Sequence, residues 1–144
     1  DASAFQKSIE PLLTPARSRA LVLGTGGASK AIAYALRQLG VEVQFVSRRK
    51  TASTLTYEEL TKAMMHSHKI VVNTTPLGMY PHVDECPDIP YRFITSEHLC
   101  YDLIYNPDET KFMRQCRQHG ATVKNGLEML LLQAFQSYEI WNMK

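Results

Sequence analysis

The segment Gly24-Thr25-Gly26-Gly27-Ala28-Ser29 constrains the fold more than any other part of the chain. Before it lies Arg19 to Leu23, whose apolar run Ala-Leu-Val-Leu has the pattern of a buried parallel strand. After it, Ala28 to Leu39 is rich in Ala, Leu and Ile and closes at Gly40, as helices do. A glycine turn between a strand and a helix is where a phosphate-cradling fingerprint belongs. Gly24 permits the tight turn, and Gly26 lets the backbone come close to a pyrophosphate. The helix beginning near Gly27 aims free N–H groups and a partial positive charge at that phosphate. Ser29 stands where the third glycine or alanine of the pattern ordinarily sits.

The rest of the chain alternates strand and helix signals. Residues 3 to 13 carry Phe5, Ile9, Leu12 and Leu13 at helical spacing, with Pro11 placed to end the helix a turn early. Val41 to Val46 reads as a second strand, Tyr57 to His66 as a helix and Ile70 to Val72 as a third strand. Residues 80 to 92 form a proline-rich loop, and long loops in compact domains are often functional. Leu99 to Tyr105 reads as a fourth strand, Glu109 to His119 as a helix, Ala121 to Val123 as a fifth strand and Leu127 to Trp141 as a long amphipathic helix. This order predicts an α/β fold: a doubly wound parallel sheet of the Rossmann type, with helices on both faces and one domain over residues 1–144.

Composition narrows the function. The chain has 144 residues, 44% of them apolar, and a net charge of +2. That charge is too small to point to nucleic acid. No apolar run reaches the roughly 20 residues a membrane helix needs. Cys86, Cys100 and Cys116 are odd in number and widely spaced, so neither a disulfide framework nor a zinc site is expected. Free thiols point to a reducing compartment, and the cytoplasm is the expected location. His66 and His68 are expected at the surface. The chain begins at Asp1 rather than Met, which suggests a piece of something longer.

The end of the second strand selects the nucleotide. Binders of NAD carry Asp or Glu there, accepting from the ribose 2′-hydroxyl. This chain has Ser47-Arg48-Arg49-Lys50. No acid repels a 2′-phosphate, and Arg48 can hold one through two N–H groups while stacking on adenine. NADP is therefore the expected cofactor; the alternative is a solvated basic turn.

Further motifs fall at the same sheet edge. Asn73-Thr74-Thr75-Pro76-Leu77-Gly78-Met79 follows the third strand, either as a ligand-facing segment or as an ordinary Pro-Gly turn. Tyr101-Asp102-Leu103-Ile104-Tyr105-Asn106-Pro107 closes the fourth strand. Tyr105 is either a phenol in the crevice or a core tyrosine. Asn125-Gly126-Leu127-Glu128-Met129-Leu130 opens the last helix, where Asn125 can cap and Gly126 permits close approach of a planar ring. Gln133 lies on a mainly apolar helix face, as a substrate ligand or a helix-surface residue.

Taken together and in this order, the motifs resemble shikimate dehydrogenase over nearly the whole chain. The resemblance implies the NADP-binding domain of an enzyme that reduces 3-dehydroshikimate to shikimate, in the biosynthesis of chorismate and aromatic amino acids. It implies pyrophosphate contacts from Gly24 to Ala28 and a 2′-phosphate site at Ser47-Arg48-Arg49, where the family has Asn-Arg-Thr. It implies cofactor contacts at Thr75, Leu103 and Gly126, and substrate contacts at Tyr105 and Gln133. Glu128 replaces the second glycine of the family's Gly-Leu-Gly-Met. Asp1 matches the aspartate of the family's catalytic pair and also touches substrate. The lysine partner is implied to lie in an N-terminal domain absent from this chain. Loss of that domain would expose apolar surface, making a homodimer conceivable. Two other readings are carried: a quinate/shikimate dehydrogenase or other NADP oxidoreductase, and a non-catalytic nucleotide-binding module.

Overall fold

The computed structural model describes residues 2–142. Six strands form one all-parallel sheet: β1 (Arg19–Leu23), β2 (Glu42–Ser47), β3 (Thr54–Thr56), β4 (Ile70–Asn73), β5 (Leu99–Asp102) and β6 (Thr122–Lys124). Their order across the sheet is β3-β2-β1-β4-β5-β6. The chain runs outward from β1 through β2 to β3, then returns to the middle and runs outward again through β4. Beyond the carboxyl ends of β1 and β4 the connections diverge, and a crevice opens there.

Alternation along the strands divides the core. Leu21, Leu23, Val71 and Cys100 point to one face. There they meet Met65 of α3 (Lys62–Ser67) and Phe112, Met113 and Cys116 of α4 (Lys111–Gln118). Ala20, Val22, Ile70, Val72, Leu99 and Tyr101 point to the other. There they meet Phe5 and Ile9 of α1 (Ala2–Ile9) and Ile32, Ala35 and Leu36 of α2 (Gly27–Gln38). Both faces of the sheet are covered, as its apolar strands require. The Tyr101 phenol is locked into the second layer: its ring meets Phe5 edge-on at 4.9 Å, and its hydroxyl lies 2.6 Å from Ser8 Oγ.

The expected doubly wound sheet is present, with several differences in detail. β3 was not foreseen; it is three residues of Thr-Leu-Thr, too short and polar for a periodicity to register. The single helix expected over Tyr57 to His66 is two pieces, a 3₁₀ turn at Tyr57–Glu59 and α3. The break falls at Leu60 and Thr61. Thr56 and Glu59 close a capping box, and Thr61 then starts a new helix by accepting from Met64 N at 3.2 Å. α1 ends at Ile9 and passes into a 3₁₀ turn carrying Pro11. β5 stops at Asp102 rather than Tyr105, because Asp102 Oδ1 takes the Ile104 N–H and turns the chain. α5 (Leu127–Asn142) exists as expected, but no residue of it is fully buried.

Among the described residues, no helix is long and apolar enough to cross a membrane, and no cluster of His, Cys, Asp and Glu could hold a metal ion. All three cysteines are free.

Candidate functional site: a two-part cleft at the sheet edge

A cleft follows the carboxyl ends of the strands in two stretches that share Thr74, Thr75 and Pro76. The larger, about 930 Å³, runs from the glycine turn to the basic turn after β2. The smaller, about 490 Å³, lies between the start of α2 and the segment after β5.

The glycine turn is built as its chemistry demands. Gly24 has φ +110°, and a Cβ there would press against Thr74 Oγ1 at 2.6 Å. Its N–H donates to Val46 O at 2.8 Å, tying the turn to β2. A Cβ on Gly26 or Gly27 would meet nothing within 4 Å, so the space above them is open to a ligand. Gly26 caps α2 without a side-chain acceptor, leaving the first N–H groups of the helix exposed to the cleft. Ser29, the departure from the glycine pattern, is buried and donates to Gly26 O at 2.6 Å. Its side chain folds back on the turn, which is how serine fits where glycine or alanine is usual.

The basic turn separates its three charges. Lys50 is paired with Glu59 at 3.0 Å. Arg48 and Arg49 have no ion pair among the described residues, and both line the larger stretch. Ser47 Oγ donates to Arg49 O at 2.6 Å, and Thr54 Oγ1 donates to the same carbonyl at 3.2 Å, so β3 pins the turn. Tyr57 forms a further wall. Burial pushes its phenol up to about 12, against the pull of the nearby Arg48 guanidinium, so it stays neutral. Sequence reasoning missed Thr51, Ser53, Thr54 and Tyr57 as lining residues; the only signal was that a polar segment follows the arginines.

The smaller stretch is lined by Thr75, Leu103 and Tyr105, with Met79 and Tyr80 in addition, and it takes in Ala28, which the sequence grouped with the glycine turn. Tyr105 is half exposed, so it is not a core tyrosine. Gly126 lines neither stretch. It is buried, donates to Ile104 O at 3.0 Å, and packs so closely that a Cβ would fall on the Leu103 carbonyl. Asn125 accepts from Leu127 N at 3.0 Å and donates to Asp108 O at 2.8 Å, fastening α5 to the segment after β5. Glu128 pairs with Lys124 at 2.9 Å. Gln133 is half-buried on α5 and lines neither stretch. Asp1 lies outside the described residues.

Beneath Thr75 is a buried polar network that sequence reasoning did not single out. Asn73 Nδ2 donates to Asp102 Oδ1 at 3.2 Å. Asn73 Oδ1 accepts from Thr75 N at 3.0 Å and from Thr75 Oγ1 at 2.6 Å. Asp102 also accepts from Ile104 N at 3.0 Å and from Thr110 Oγ1 at 2.7 Å. Burial outweighs these bonds and raises the Asp102 carboxyl to about 6.

No family model matches the chain. A shikimate dehydrogenase (NADP(+)) of Desulforamulus reducens is 32% identical, over 98% of this chain and 55% of the relative. One of Carboxydothermus hydrogenoformans is 37% identical, over 85% and 49%. The crystal structure of shikimate 5-dehydrogenase from Thermus thermophilus, in complex with NADP(H) and shikimate, is similar at a TM-score of 0.82 with 28% identity. That match covers 99% of this chain and 56% of the other. The chain thus spans about half the length of the curated relatives it matches. It belongs to the shikimate dehydrogenase family and corresponds to the C-terminal portion of its members.

Proposed function

We propose that this chain is the NADP-binding part of an enzyme that interconverts 3-dehydroshikimate and shikimate. The observation that carries the reading is the larger stretch of the cleft. An uncapped helix start at Gly26 and two unpaired guanidiniums, Arg48 and Arg49, face one groove with no acid at the end of β2. That donor set fits a pyrophosphate at one end and a 2′-phosphate at the other.

When bound, NADPH supplies the hydride. The chain's own residues hold and orient. The turn Gly24 to Ala28 would hold the pyrophosphate, with N–H groups beyond Gly24 as donors because Gly24's own is kept by Val46 O, and Ser47, Arg48 and Arg49 would take the 2′-phosphate. Thr75 and Leu103 flank the nicotinamide end, while Gly126 lets β5 and α5 close behind it. Tyr105 reaches toward the substrate from the rim, and the resemblance assigns a second substrate contact to Gln133 on α5, outside both stretches. The resemblance assigns proton transfer at the carbonyl oxygen to Asp1 and a lysine from the part of the relatives outside the match. Such a division leaves this chain able to bind cofactor and unable to turn over alone, with cytoplasmic location in keeping with a biosynthetic enzyme.

The test is NADPH oxidation with 3-dehydroshikimate, on this chain alone and on this chain fused behind the unmatched portion of a relative. The expected result is turnover by the fusion and none by the chain alone. Rapid turnover by the chain alone would contradict the division of labour. A fusion that binds NADP⁺ but reduces neither 3-dehydroshikimate nor 3-dehydroquinate would replace the enzyme with a nucleotide-binding module.

A further inference from the structure

Thr75 sits where the two stretches of the cleft meet, and its hydroxyl is more constrained than its half-exposed position suggests. The constraint starts at Asp102. Its carboxylate is fully buried and can only accept, so the group facing Oδ1 must donate. Asn73 is also fully buried and turns Nδ2 toward that oxygen at 3.2 Å. The opposite amide orientation would set oxygen against carboxylate and NH₂ against the Thr75 N–H. The orientation of Asn73 is therefore decided at both ends. Its Oδ1 then receives the Thr75 N–H at 3.0 Å and the Thr75 hydroxyl proton at 2.6 Å.

The Thr75 proton is spent on Asn73. One lone pair of Thr75 Oγ1 is spent too, accepting from Leu77 N at 3.2 Å. What remains for a ligand is one acceptor. Thr74 next to it has likewise given its proton away, to Leu23 O at 2.5 Å. The waist of the cleft thus offers acceptors, while the glycine and basic turns offer donors.

We propose that Asp102 is a positioning residue that acts through Asn73 to hold Thr75 as an acceptor, selecting a ligand group that donates. On the cofactor reading above, on which this rests, that group belongs to the nicotinamide riboside half: a ribose hydroxyl or the carboxamide NH₂. A phosphate oxygen, which only accepts at neutral pH, is excluded from this position.

The experiment compares two probes by calorimetric titration of this chain: NADP⁺, which spans both stretches, and 2′,5′-ADP, which lacks the nicotinamide riboside. Thr75→Val is expected to weaken NADP⁺ about three- to tenfold, the worth of one neutral hydrogen bond. It is expected to leave 2′,5′-ADP within about twofold, and Thr75→Ser is expected to restore NADP⁺. Asp102→Leu should reproduce the Thr75→Val pattern, and Asp102→Asn, which keeps an accepting Oδ1, should stay near wild type. If Asp102→Leu fails to fold, Asn73→Ala opens the same link from the other side. The nicotinic acid analogue of NADP⁺ separates the two donors: weakened binding assigns the carboxamide, unchanged binding the ribose hydroxyl, and either supports the proposal. Equal loss of both probes in Thr75→Val, or loss of neither, overturns it while the cofactor reading stands. Failure of the unmutated chain to bind either probe overturns both.

Discussion

Gly26 opens onto the cleft and Gly126 packs outside it, and substitution separates their roles. Gly26 has extended backbone that alanine can adopt, and open space above it. Gly26→Ala should leave the unfolding midpoint nearly unchanged and weaken NADP⁺ roughly tenfold by crowding the pyrophosphate. Gly126→Ala must move the Leu103 carbonyl, and overpacking of this kind costs about 1–3 kcal/mol in denaturant titration. Asp102 carries a prediction about pH. Its carboxyl stands at about 6 in the folded protein against 3.8 ordinarily, so folding favours the protonated form. Its contribution is full below 3.8 and is lost as pH rises through about 6. Relative to Asp102→Asn, the unmutated protein should lose about 3 kcal/mol across that window. Buried His98 titrates in the opposite sense, losing its contribution as pH falls, but it is present in both proteins and cancels. A flat difference between pH 4 and 7 would mean that Asp102 is not held up. The glycine and basic turns were legible in the sequence because their chemistry is local. Asp102 and Asn73 were not singled out as a pair, because 29 residues separate partners that only the β4–β5 register brings side by side.

At the scale of elements, the strands and α2 were legible because their apolar runs are long enough to show a period. β3 and the split before α3 were not: three-residue elements have no period, and capping threonines look like any polar residue. α5 is the instructive case. Its apolar residues promised burial, yet Leu131, Phe135 and Tyr138, which share one stripe, are each more than half exposed, as is Trp141. The pattern reported an apolar face correctly, and that face stays more than half exposed among the described residues. Protection from hydrogen exchange should follow burial. Amides of β1, β4 and α2 are expected to exchange slowest, and the second half of α5 among the fastest of the helical amides. Slow exchange throughout α5 in dilute solution would show that a partner surface covers it.

The whole molecule is a cleft-bearing sheet edge on a closed core, with α5 seated on α1 and one of its faces left exposed. The exposed α5 stripe is expected to drive concentration-dependent self-association in sedimentation velocity. Leu131→Glu with Phe135→Glu should abolish it without changing NADP⁺ affinity. Association that survives these changes would place the contact elsewhere. At the other end of the molecule lies the groove between Gly24 and Arg49, proposed to distinguish a ribose 2′-phosphate from a 2′-hydroxyl. Parallel calorimetric titration with NADP⁺ and NAD⁺, repeated on Arg48→Ala, tests it most directly. A charge-assisted pair is worth about 1.5–3 kcal/mol. NADP⁺ should therefore bind roughly tenfold to a hundredfold tighter than NAD⁺, and Arg48→Ala should erase most of that preference. Equal affinity for the two nucleotides, or a preference that Arg48→Ala leaves intact, would show that the basic turn does not read the 2′-phosphate.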